Sequence, residues 1–124
     1  EHLDARVVLD GTENGGRTWP LPFRPQRLTK DPFSEMTRAY FAIPDVFRRP
    51  NHSLDNWLQR LVRTRGVRGI ICVRHIWCDL WHAASQRLRI SLARPFLDMD
   101  LDPNASIESG RNLTRIQAFL ESLK

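Results

Sequence analysis

Cysteine is scarce in this chain, with Cys72 and Cys78 the only two in 124 residues. So few thiols exclude a secreted disulfide scaffold and point to a reducing, cytoplasmic compartment. Lysine is equally rare: of 19 basic residues, all but Lys30 and Lys124 are arginine. No apolar run approaches the ~20 residues a membrane helix needs, and no signal-peptide pattern opens the chain, so no membrane association is expected. Serine–histidine–acid motifs and paired glutamates at a defined spacing are also missing, which leaves nucleophilic hydrolysis without a foothold. The glycines form neither a Walker nor a dinucleotide fingerprint.

What is present is ordinary in amount and specific in place. A chain that is 41% hydrophobic and 27% charged suits a soluble globular protein, and its length fits a single domain over residues 1–124. It opens Glu1-His2-Leu3, without methionine, and reads as a piece of a longer, multi-domain protein. The net charge of +5 raises the question of a polyanion. The arginines are scattered, however, with no aromatic-interleaved recognition motif, and nucleic acid is not an expected partner.

Strand and helix signals alternate. Arg6-Val7-Val8-Leu9, closed by Asp10-Gly11, reads as a first strand. Pro20, Pro22 and Pro25 exclude regular structure from Thr18 to Lys30. Asp31-Pro32 supplies an N-cap and first helical position for a helix carrying Met36, Ala39 and Tyr40. Ser53 caps a further helix, whose Leu54, Trp57, Leu58, Leu61 and Val62 make one apolar stripe ending at Gly66. Gly69–Val73 is a second strand, apolar on successive residues as if covered on both faces. A helix from Asp79 to about Ile90 aligns Leu80, Ala84 and Leu88. Pro95–Met99 is a third strand, and a final helix from about Ser106 places Leu113, Ile116, Leu120 and Leu123 on a core stripe. The alternation predicts an α/β fold: a three-layer, flavodoxin- or Rossmann-like open parallel sheet with helices on both faces. Three strands are few, so a further strand or partner surface is expected at an open edge.

The site signal lies where the second strand gives way to a helix, at Arg74-His75-Ile76-Trp77-Cys78-Asp79. Open α/β sheets bind ligands at the carboxyl ends of their strands, and helix N-terminal amides favour a thiolate. Cys78 therefore has a physical case for function, against the commoner fate of a small buried residue. Cys72, inside the strand, reads as core. His75, Cys78 and His82 form a His-x2-Cys-x3-His array that lacks a fourth ligand, which leaves zinc the weaker reading. Trp77 and Trp81 bracket Cys78 and either exclude water from a ligand or cover the sheet edge. Arg17 follows Gly15-Gly16 on the same rim and is a candidate anion or partner contact. Asp98, Asp100 and Asp102 suit a capping loop better than a magnesium site. Arg111 and Arg115 read as surface charges.

In this order, four segments resemble the C-terminal domain of the 2-hydroxyacyl-CoA (2-hydroxyglutaryl-CoA) dehydratase and benzoyl-CoA reductase family. They are Ala5–Asp10 with Gly16-Arg17, Gly69-Ile70-Ile71 through Cys78-Asp79, Arg94–Asp100, and Thr114–Glu121. The resemblance implies a subunit lobe in which Cys78 is one ligand of a [4Fe-4S] cluster, with Arg17 and Trp77 as substrate or partner contacts. It implies further partners: the remainder of the same subunit, a homologous second subunit, an ATP-dependent activator protein and an acyl-CoA substrate. The chemistry implied is radical dehydration or reduction of that acyl-CoA, lyase or oxidoreductase in class. Against the family pattern, the acidic turn reads Asp10-Gly11-Thr12-Glu13-Asn14, without a further cysteine. The isolated chain is expected to bind no cluster and to be inactive. The alternative is a non-catalytic, flavodoxin-like interaction domain with a structural cysteine.

Overall fold

A computed structural model describes residues 3–102 and 110–124. The elements run α1 (Pro25–Lys30), α2 (Pro32–Phe41), α3 (His52–Thr64), β1 (Ile70–His75), α4 (Asp79–Leu92), β2 (Phe96–Leu101) and α5 (Gly110–Glu121), with a 3-10 turn at Gly16–Thr18 ahead of them. Two compact units result, one of Leu9–Trp57 and one of Glu1–Val8 with Leu58–Lys124. No described helix is long and apolar enough to cross a membrane.

The larger unit is a β-α-β motif. β1 and β2 pair in parallel, in a register that sets Cys72 opposite Asp98 and Arg74 opposite Asp100. Parallel neighbours need a crossover, and α4 supplies it. Its buried face of Ala84, Ser85, Leu88 and Leu92 continues the predicted stripe. Left-handed Ala93 (φ 47°, ψ 46°) closes the helix. Gly66 ends α3 at φ +62°, where an L side chain would be strained. Val67 N donates to Val62 O and Gly66 N to Arg63 O, which is the paired Schellman pattern, and Val62 and Val67 are both buried beside it.

In the other unit, the Asp31 carboxylate accepts from Ser34 N with Pro32 at the first helical position, as the sequence predicts. Buried Glu35 receives the Arg24 amide and the Arg38 guanidinium. The Arg38 hydrogen bond, aided by the Arg24 amide and opposed by burial, holds its carboxyl down at about 2.

Several expectations need correction. Residues 5–10 form no strand; their backbone makes a local bond from Ala5 N to Leu3 O, and Val7 is largely exposed. A β-branched run becomes a strand only when a neighbouring backbone takes its N–H and C=O groups. The described sheet is therefore two-stranded. The span from Thr18 to Lys30 is not irregular throughout, because Pro25 starts α1 at a position where its missing N–H costs nothing. α3 begins at His52, so Asn51 rather than Ser53 precedes it. β1 is not covered on both faces, since Ile71 and Val73 are exposed. Along α5, Ile116, Leu120 and Leu123 are half-buried and Leu113 is exposed. The predicted start of that helix near Ser106 lies outside the described residues.

Candidate functional site

β1 carries the chain to His75, and two residues later the backbone turns into α4. Cys78 is the N-cap of that helix, with φ −92° and ψ 83° outside the helical region. Its N–H donates to His75 O at 2.9 Å, closing the turn, and its carbonyl accepts the first helical bond from His82 N at 2.9 Å. The backbone at Cys78 is thus fixed from both sides. Its sulfur makes no capping bond to the helix amides, and the side chain is half-buried. A thiol so held is oriented by its backbone and left free at its reactive atom.

The neighbours divide sharply. Trp77 is 82% exposed, so its indole lies in solvent. His75 and His82 are also exposed. Among the described residues, no group of three or more His, Cys, Asp or Glu could hold a metal ion, so His75, Cys78 and His82 are not brought together. Arg17 is buried and internally bonded: Nε donates to Gly11 O at 3.0 Å, and one terminal nitrogen pairs with the Asp45 carboxylate at 2.7 Å.

Behind the strand-end turn is a polar cluster that no single sequence motif announces. Arg74 is buried, and its guanidinium reaches Asp98, Asp100 (3.0 Å) and Ser85 Oγ (3.1 Å). Ser85 Oγ in turn donates to His82 O at 2.9 Å. Arg89 engages the other oxygen of Asp98, and Arg115 donates to the Asp98 carbonyl at 2.8 Å. Burial pushes the Asp98 carboxyl up, but hydrogen bonds from Arg89 and the charge of Arg74 outweigh it and hold it low. Burial, followed by the charge of Asp98, pushes the Cys72 thiol up to about 11. Cys72 is thus a protonated thiol under ordinary conditions. A signal for this cluster was present: Cys-x-Arg on one strand and Asp-x-Asp on the next put like-spaced polar residues on one sheet face.

Asp98 and Asp100 are accordingly committed to arginines, which is neither the capping role nor a magnesium site. Arg115 lies on the surface, as expected, and also ties α5 to β2. Comparison with curated proteins and with solved structures gives no match. The 2-hydroxyglutaryl-CoA dehydratase, D-component, family matches residues 1–123, which is nearly the whole chain. The chain therefore belongs to the 2-hydroxyglutaryl-CoA dehydratase D-component family.

Proposed function

We propose that this chain is the C-terminal lobe of an iron–sulfur subunit of a dehydratase-type enzyme, in which Cys78 supplies one thiolate to a [4Fe-4S] cluster. The observation that carries this reading is the placement of Cys78: at the carboxyl end of β1, at the N-cap of α4, with a sulfur that caps nothing. Soft thiolates are the ligands such clusters take.

The donor set bounds the proposal. A four-iron cluster takes four cysteines, and this chain offers Cys78 alone, since burial, followed by the charge of Asp98, pushes the Cys72 thiol up to about 11. The residues present do not fit a whole cluster. When bound in the full assembly, such a cluster supplies single electrons for radical dehydration or reduction of an acyl-CoA. The chain's own contribution is to hold one sulfur at a fixed backbone position. The remaining ligands then come from other parts of the subunit, and a homologous second subunit and an ATP-dependent activator protein complete the working enzyme. Exposed Trp77 is available to contact substrate or partner, whereas the bonding of Arg17 to Asp45 and Gly11 makes it an internal tie. Ile71 and Val73, exposed on one face of β1, support a further layer covering that face in the whole protein, as a flavodoxin-like fold has. Two free thiols support a cytoplasmic setting.

The test is iron content in the full assembly carrying Cys78→Ser or Cys72→Ser. Cys78→Ser is expected to lose cluster iron while far-UV circular dichroism stays unchanged, and Cys72→Ser to keep it. Full iron and activity in Cys78→Ser would make Cys78 structural and the lobe an interaction domain.

A further inference from the structure

α2 is built inside out. Phe33, Met36, Thr37, Tyr40 and Phe41 fall at i, i+3, i+4, i+7 and i+8, the spacing of a core-facing helical stripe. Yet Phe33 is 81%, Met36 48%, Tyr40 49% and Phe41 67% exposed. The side the helix does bury carries Ala39 and the ion-paired Glu35. Phe23 extends the outward face, its ring 6.5 Å from that of Tyr40. Scattered exposed apolar residues are normal, but a contiguous aromatic face of this kind marks an interaction surface.

Its charged ends say what fits it. Lys30 lies just before the N-terminus of α2, and Arg48 stacks over Phe41 at the other end, 5.4 Å from the ring centroid. Neither has a carboxylate partner among the described residues, while the nearby carboxylates are taken, Asp31 by Ser34 N and Glu35 by Arg38. A ten-residue helix is about 15 Å long, and along the chain the two cations flank its two ends. A second copy of this chain fits poorly, because either parallel or antiparallel pairing sets cation against cation. An anionic lipid surface needs a basic cluster, and within Leu9–Trp57 cations and carboxylates nearly balance.

We propose that the outward face of α2 docks an amphipathic helix of a partner protein whose apolar stripe is flanked by carboxylates about three turns apart. The inference is independent of the role of Cys78. Helix-in-groove recognition of this kind draws affinity from the aromatic anchors and register from the flanking charges.

The experiment titrates the full chain with two fluorescent helical peptides that share one leucine stripe. One carries glutamates at the two flanking positions, eleven residues apart, and the other lysines. The glutamate peptide is expected to bind saturably and roughly tenfold tighter than the lysine peptide. Phe33→Asp is expected to abolish binding with unchanged circular dichroism, and the double variant Lys30→Glu/Arg48→Glu to reverse the preference. Should Phe33→Asp disturb folding, the charge-reversal variant still decides the matter, because it alters side-chain ends alone. Equal affinity for both peptides, binding to phosphatidylcholine/phosphatidylglycerol vesicles in place of peptide, or a homodimer dissolved by Phe33→Asp would each overturn the proposal.

Discussion

Arg74 on β1 and Asp98 on β2 form a partly buried ion pair across the parallel ladder, two residues out of direct register. The same guanidinium holds Ser85 Oγ on α4 and the Asp100 carboxylate. One side chain therefore joins both strands to the crossover helix, and the helix that begins at Cys78 is anchored to the sheet through it. In a sheet of two strands, with little apolar cover on one face, such a tie carries unusual weight.

Removing Arg74 leaves Asp98 with Arg89 as its remaining guanidinium partner and Ser85 Oγ with its bond to His82 O alone. Breaking one side of a buried pair costs several kcal/mol, and the surviving Arg89 contact moderates the loss. Arg74→Met is expected to lower stability by about 3 kcal/mol in urea unfolding. A loss below about 1 kcal/mol would place the pair among surface-like salt bridges.

Acid destabilisation follows from Glu35. Its folded-state pKa, about 2, lies below its unfolded value. The contribution is therefore complete above the unfolded value and lost as pH falls through about 2. Stability should decline between about pH 5 and pH 2, and Glu35→Gln should flatten that limb. Urea midpoints measured across the range test this, and an unaltered acid limb in Glu35→Gln would refute it.

Cys72 behaves in the opposite sense. Its raised pKa means the fold favours the neutral thiol, a contribution present below the unfolded value and lost as pH rises through about 11. In Cys78→Ser, whose one thiol is Cys72, iodoacetamide labelling at pH 8 should run on the order of a hundredfold slower than free cysteine. Fast labelling at pH 8 would contradict a buried, protonated thiol.

Two glycines separate backbone from side-chain crowding. A Cβ on Gly15 would lie 2.4 Å from Asp10 O, a backbone atom that also accepts from Gly16 N. A Cβ on Gly69 would meet the ends of the Leu123 and Phe119 side chains at 2.6–2.9 Å. Gly15→Ala is expected to cost about 2–3 kcal/mol and Gly69→Ala about 1 kcal/mol, because side-chain tips move where a turn carbonyl cannot. Thermal unfolding of both variants ranks them, and the reverse order would count against this packing.

By itself the sequence determined several pieces of local structure. Ile70–Val73 had the strand pattern, Asp31-Pro32 had cap chemistry, Gly66 had the left-handed stop, and the four resembling segments pointed to the family that the match over residues 1–123 shows. These signals are local, written in spacing and in residue types with one conformational preference. Tertiary structure alone decided which groups meet. Residues 5–10 had strand propensity but no partner strand among the described residues, and propensity cannot supply one. Arg17 read as a candidate anion or partner contact, and the fold buries it against Asp45 and Gly11. Arg74 looked like one arginine among many, and became the joint of the sheet because the register put Asp98 and Asp100 within its reach. Likewise the Asp31-Pro32 cap gave α2 but not the direction of its faces: of Met36, Ala39 and Tyr40 only Ala39 is buried, because packing fixes which way a helix face points.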